Sequence, residues 1–118
     1  NGSLYIHSSR GYTRDGRIKP DLAAPGVDVY GPGISSVPGN FPYTRMTGSS
    51  IAAAHVAGAA ACLYSWGYVK GNEPSINSRS IKAYLTLGAD RIASYRYPNP
   101  EWGYGMLNLY QSFLTMRD

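Results

Sequence analysis

Two adjacent serines, Ser49 and Ser50, stand between Gly48 and a run of alanines, and His55 follows five positions after Ser50. A serine hydroxyl attacks a carbonyl only where a base takes its proton and donors hold the resulting oxyanion. The start of a helix supplies part of this. Its first N–H groups lack helical partners and lie at the positive end of the dipole. The Ser50 amide is thus placed to face an oxyanion, and Gly48 leaves room for a substrate backbone. Serine before a helix is also a common N-cap, so spacing alone leaves that reading open for Ser49 and Ser50.

His55 is badly placed to serve as the base. Five residues of helix turn through about 500°, about 140° net, and rise about 7.5 Å, so the two side chains diverge. His55 reads instead as a buried histidine bonded to backbone or to another side chain. The only other histidine, His7, sits in a different segment with no supporting pattern around it. The G-x-S-x-G elbow fails at Ala52, and that arrangement needs a histidine after the nucleophile, where none follows His55. A base for Ser50 must therefore come from upstream.

The elements that would position these residues fall into two styles. Asp15-Gly16, Pro20, Pro25-Gly26, Gly31-Pro32-Gly33 and Pro38-Gly39-Asn40 punctuate the first half. Between and after them, Leu22–Ala24, Val27–Tyr30 and Tyr43–Thr47 read as short extended segments. From Ser50 to about Trp66 there is no proline and one glycine, Gly58, which predicts a helix apolar on every side. Such a helix expects cover all round, with Ala57, Gly58 and Ala61 admitting close neighbours. A second helix is predicted over Ser78–Leu87, capped by Asn77 or Ser78, stopped at Gly88 and presenting Ile81 and Leu85 on one face. A third begins after Asn108, with Leu109 and Phe113 four apart. Trp102–Leu107 before it reads as a turn or short hairpin.

A chain of 118 residues suits one small domain or part of a larger one. With 43% hydrophobic and 15% charged residues it is globular, and fourteen glycines with eleven tyrosines point to a turn-rich fold. The net charge of +4 raises nucleic acid as a partner, with Arg10, Arg14, Arg17 and Lys19 as the cluster to test. Gly11, Asp15, Gly16 and Pro20 interrupt that cluster, so it reads as a solvated loop and no nucleic-acid partner is expected. Cys62 is the single cysteine, which excludes an internal disulfide, and its alanine-rich setting predicts burial. No leader opens the chain, which starts at Asn1, so this end reads as a boundary made by processing or cloning. Asn1-Gly2-Ser3 fits a glycosylation acceptor pattern. Ile51–Trp66 falls short of the roughly 20 apolar residues a membrane span needs, so no membrane partner is expected.

"GSSIAAAHVAG", Gly48 to Gly58, resembles the serine motif of the subtilisin-like serine proteases, commonly G-T-S-M-A-x-P-H-V-A-G. "SSRGYTRDGRIKPDLAAPGVDVY", Ser8 to Tyr30, is similar to the segment preceding that motif, and "EWGYGMLNLYQS", Glu101 to Ser112, to the family's closing pattern. The resemblance implies that Ser50 is the nucleophile and its N–H one oxyanion donor. It implies that Ser49 occupies the threonine position near the oxyanion and that His55 and Gly58 are structural. Gly48 and Tyr43–Thr47 then form the approach to the nucleophile and its leaving-group side. Ser49 for threonine keeps a hydroxyl, Ile51 for methionine removes an oxidisable sulfur, and Ala54 for proline favours continuous helix.

The family order is Asp, then His, then Ser. No D-[ST]-G or H-G-T motif precedes Ser50, nor does the asparagine that gives the other oxyanion bond. The resemblance therefore implies that residues 1–118 are the C-terminal part of a single peptidase catalytic domain, inactive alone. Its α/β fold would be a mostly parallel sheet with helices on both faces. Substrates would be peptides or proteins. Partners would be the missing N-terminal part or a second copy of this chain, and the setting secreted or cell-surface. Calcium is common in the family, but no calcium-loop spacing of carboxylates occurs here, so no metal or other cofactor is assigned. The alternative is a non-catalytic member of the same fold, a scaffold or partner-binding protein.

Overall fold

The computed structural model describes residues 3–40 and 42–116; Asn1 and Gly2 of the acceptor pattern lie outside them. In chain order come β1 (Val29–Pro32), β2 (Tyr43–Met46), α1 (Ser49–Tyr64), a π-helical turn (Ser65–Val69), α2 (Ser78–Leu87) and α3 (Leu109–Thr115).

β1 and β2 form an antiparallel ribbon, Val29 opposite Met46 and Pro32 opposite Tyr43. The register puts Tyr30 and Tyr43 diagonally on one face, where their rings stack at 5.3 Å. The strand expected at Val27–Tyr30 starts later because Asp28 takes a left-handed φ of 55°, which breaks an extended run. Leu22–Ala24 is reduced to a single parallel bridge between Ala23 and Met106. Among the described residues no larger parallel sheet forms; the ribbon and helices are consistent with part of an α/β fold.

The core is small: Ala59, Leu63, Ile76, Ile81 and Leu85, with Leu22, Val56, Leu107, Leu109 and Phe113 packed against it. Ala59 and Leu63 are four apart, so α1 contributes one line of contact. Half-buried Ala52, Val56 and Ala60 widen that line, while Ala53, Ala54, Ala57, Gly58, Ala61 and Tyr64 are exposed, so the described residues do not supply the cover on all sides that such a helix expects. Cys62 is exposed, not buried, because it lies about 100° round the helix from Leu63. Ala57, Gly58 and Ala61 are exposed too, and a Cβ placed on Gly58 would meet nothing within 4 Å. Among the described residues nothing supplies the close neighbour expected there.

α1 does not run on to Trp66. It widens at Ser65 into the π-helical turn, in which Lys70 N–H donates to Ser65 O at 3.0 Å. That turn presses Gly67 onto Ile76, where a Cβ would lie 2.9 Å from the isoleucine. α2 matches its predicted bounds. Ser80 N–H donates to Asn77 Oδ1 at 3.1 Å, and Asn77 N–H donates to Ser80 Oγ at 2.9 Å, a reciprocal cap. Gly88 ends α2 in a right-handed conformation, so freedom in φ is not why glycine is there. A Cβ would lie 2.4 Å from Ser112 N, and its absence lets the end of α2 meet α3. α3 begins after Asn108 as expected, and Asn108 caps it, accepting from Gln111 N–H at 3.0 Å. Of Trp102–Leu107, Gly103 closes a turn by an antiparallel bridge to Asn99, and Met106 bridges to Ala23 and Asp90.

The segment before β1 is tied down by charge. Asp21 receives Lys19 Nζ at 2.9 Å and Lys82 Nζ of α2 at 3.3 Å. Burial pushes the Asp21 pKa up, but hydrogen bonds and charge from the two lysines outweigh this and hold it below its ordinary value. Arg17 pairs with Asp15 at 3.0 Å and Arg10 with Glu101 at 3.6 Å. Lys19 is paired as well, so three of the four basic residues Arg10, Arg14, Arg17 and Lys19 have an acidic side chain within reach.

Candidate active site

Ser49 and Ser50 are the first two residues of α1, and both are exposed. The N-cap is Gly48, and no side chain caps the helix, so neither serine hydroxyl is engaged as a plain cap. Gly48 O accepts from Ile51 N–H at 3.1 Å and Ala52 N–H at 3.3 Å. Among the described residues no backbone bond engages the N–H of Ser49 or Ser50. Ser50 therefore presents a free hydroxyl and a free amide at the positive end of a sixteen-residue helix.

His55 Nδ1 lies 3.1 Å from Ile51 O. A carbonyl only accepts, so this bond puts a proton on Nδ1 and holds the ring against its own helix. No hydrogen bond joins it to Ser50. His7 is exposed and packs edge-on to Tyr5 at 5.4 Å. Among the described residues no base is bonded to Ser50, and no group of three His, Cys, Asp or Glu side chains could hold a metal.

What holds Ser50 in place was only partly legible in the sequence. Gly48 N–H donates to Gly26 O at 2.8 Å, and Asp28 N–H donates to Thr47 Oγ1 at 2.8 Å. Arg45 Nη1 donates to Asp28 O at 3.2 Å while its guanidinium lies 5.6 Å from the Tyr30 ring centre. Pro25-Gly26 reads in the sequence as a chain breaker and no more. A hydroxyl directly before Gly48, at Thr47, is the one signal that could have suggested a contact.

The Ser50 region thus joins an unengaged serine at a helix start to an antiparallel ribbon that feeds it. A family model described as the Subtilase family matches residues 1–105, and the chain belongs to that family. Pyrolysin of Pyrococcus furiosus is 33% identical over 123 residues, covering 99% of this chain and 8% of pyrolysin. The C5a peptidase of Streptococcus pyogenes is 51% identical over 51 residues, covering 43% of this chain and 4% of the peptidase. The solved structure of the Clostridium perfringens CspB protease superposes with a TM-score of 0.84 at 37% identity. That match covers 98% of this chain and 24% of the CspB chain. The chain therefore spans a quarter or less of each of these relatives.

Proposed function

We propose that this chain is the serine-bearing part of a subtilisin-like endopeptidase that hydrolyses peptide bonds through an acyl-enzyme. Ser50 Oγ would attack the scissile carbonyl carbon while its proton passes to a histidine from the upstream part of the domain. The carbonyl oxygen, now an anion, would accept from the Ser50 N–H, with the Ser49 hydroxyl beside it. Collapse of this intermediate breaks the C–N bond, and the histidine's proton leaves with the amine. Water then attacks the ester by the same route and frees Ser50. The observation that carries the reading is the exposed, uncapped Ser50 with an unengaged amide, inside the matched family segment.

On this reading residues 1–118 complete a domain whose upstream part brings the Asp, the His and the second oxyanion donor. That part would also add a mostly parallel sheet, with helices on both faces. Substrates are peptides or proteins, the enzyme acts outside the cell or at its surface, and neither nucleic acid nor a membrane takes part. Among the described residues no helix is long and apolar enough to cross a membrane. Catalysis at Ser50 needs no metal, and any calcium would serve stability elsewhere in the domain.

A second reading, a non-catalytic member of the fold, draws on the departures within the serine motif: Ser49 for threonine, Ile51 for methionine and Ala54 for proline. Labelling with a fluorophosphonate probe separates the two. The full-length protein should label at Ser50 and cleave a peptide substrate, and Ser50→Ala should abolish both. The 118-residue chain alone should do neither, since losing triad members costs several orders of magnitude. A full-length protein with intact fold and no labelling would establish the scaffold reading.

A further inference from the structure

We infer that Thr47 and Gly26 are positioning residues for Ser50: together they clamp the chain at the point where it enters α1. The inference rests on the endopeptidase reading above and adds to it residues outside the serine motif's reacting groups. Nothing at the start of α1 anchors it from within, because no side chain caps it. Its first turn hangs on one carbonyl, Gly48 O, which accepts from both Ile51 and Ala52. Where Gly48 sits, Ser50 sits.

Gly48 is in turn held by a turn more than twenty residues upstream. Gly26 O takes its N–H at 2.8 Å, and the Thr47 hydroxyl takes the Asp28 N–H at 2.8 Å. The two bonds run in opposite directions between Gly26–Asp28 and Thr47–Gly48, so neither segment can slide without breaking one. Asp28 holds a φ of 55°, a conformation few side chains tolerate, and Arg45 Nη1 donates to its carbonyl at 3.2 Å. Gly26 closes the fit by contact. A Cβ there would lie 2.8 Å from Gly48 O and 3.1 Å from the Ala52 Cβ. The carbonyl that carries the first turn is therefore wedged against the Gly26 backbone.

A reacting serine is sensitive to such placement, because a shift of about 1 Å can cost about a hundredfold in rate. The test uses the full-length protein, comparing kcat, KM, the rate of Ser50 phosphonylation by a fluorophosphonate, and melting temperature. Thr47→Val keeps the side-chain shape and removes the acceptor. It should lower kcat and the phosphonylation rate together by about tenfold, with KM within about twofold, as expected for one hydrogen bond. Thr47→Ser, which restores the acceptor, should return both rates to within about twofold of wild type. Gly26→Ala should lower them by about a hundredfold. Should Thr47→Val not fold, Thr47→Ala and Gly26→Ala carry the same comparison. Wild-type rates in an active protein bearing these substitutions would overturn the clamp alone. So would a loss confined to KM, or one that only follows a lower melting temperature. A wild-type protein that neither labels nor cleaves would overturn the endopeptidase reading and the clamp with it.

Discussion

A hydroxyl engaged in capping a helix is not free to attack, and at Ser50 that engagement is absent. The consequence is measurable as stability. A capping serine replaced by alanine costs about 0.5–2 kcal/mol, so Ser50→Ala should cost less than this range in chemical denaturation of the full-length protein. A larger loss would mean that the hydroxyl holds the helix after all. The placement of Ser50, Gly48 and the uninvolved His55 was legible because each follows from helix geometry over a few residues. Gly26 was not. Its role depends on a contact with Gly48 that no local pattern carries, and a glycine beside a proline looks the same in any turn. The burial predicted for Cys62 fails for a related reason: alanine neighbours show that a helix is apolar, not which of its sides is covered.

Helices α2 and α3 show when an element can be read from its own sequence. Asn77, Ser80, Ile81, Leu85 and Gly88 all act within one or two turns of each other, so the bounds of α2 are local information. The π-helical turn after α1 could not be read, because no local pattern in Ser65–Val69 carries the close packing of Gly67 on Ile76. Asn77→Ala removes one half of the reciprocal cap and should destabilise the full-length protein by about 0.5–2 kcal/mol. A neutral result in denaturant titration would remove the cap from the account. α2 is also joined to the chain before β1 through Asp21, and that link titrates. The folded carboxyl lies below its ordinary 3.8, so its contribution is complete above that value and lost as pH falls through the folded value. Because Asp21 is 36% exposed, solvent screens the effect and it should be small. Melting temperatures followed from about pH 6 down to about pH 2 should show a shallower acid loss for Asp21→Asn than for wild type. Parallel curves would show that the lysines do not stabilise the ionised form.

At the scale of the whole chain, the surface is too large for the mass. A compact monomer of 12.8 kDa exposes about 6300 Å² and this chain exposes 8461 Å², an excess of about 2200 Å². Its radius of gyration, 16.3 Å, exceeds the roughly 13.5 Å of a compact domain of this length. Large apolar side chains are part of that surface: Val27, Tyr30, Ile34, Tyr43, Met46 and Tyr64 are exposed, as is most of α1. A typical stable interface covers about 800 Å² on each partner, so the uncovered area is ample for one or more partners. The ribbon adds free strand edges, which pair readily with other chains. We therefore expect the 118-residue chain, purified alone, to associate with itself at micromolar concentration. Adding the upstream part of the domain should convert it to a one-to-one complex, because both would compete for the same apolar faces. Light scattering before and after that addition reads both states directly. A monodisperse monomer that unfolds cooperatively on its own would show that α1 finds its cover within this chain, contrary to its exposed faces.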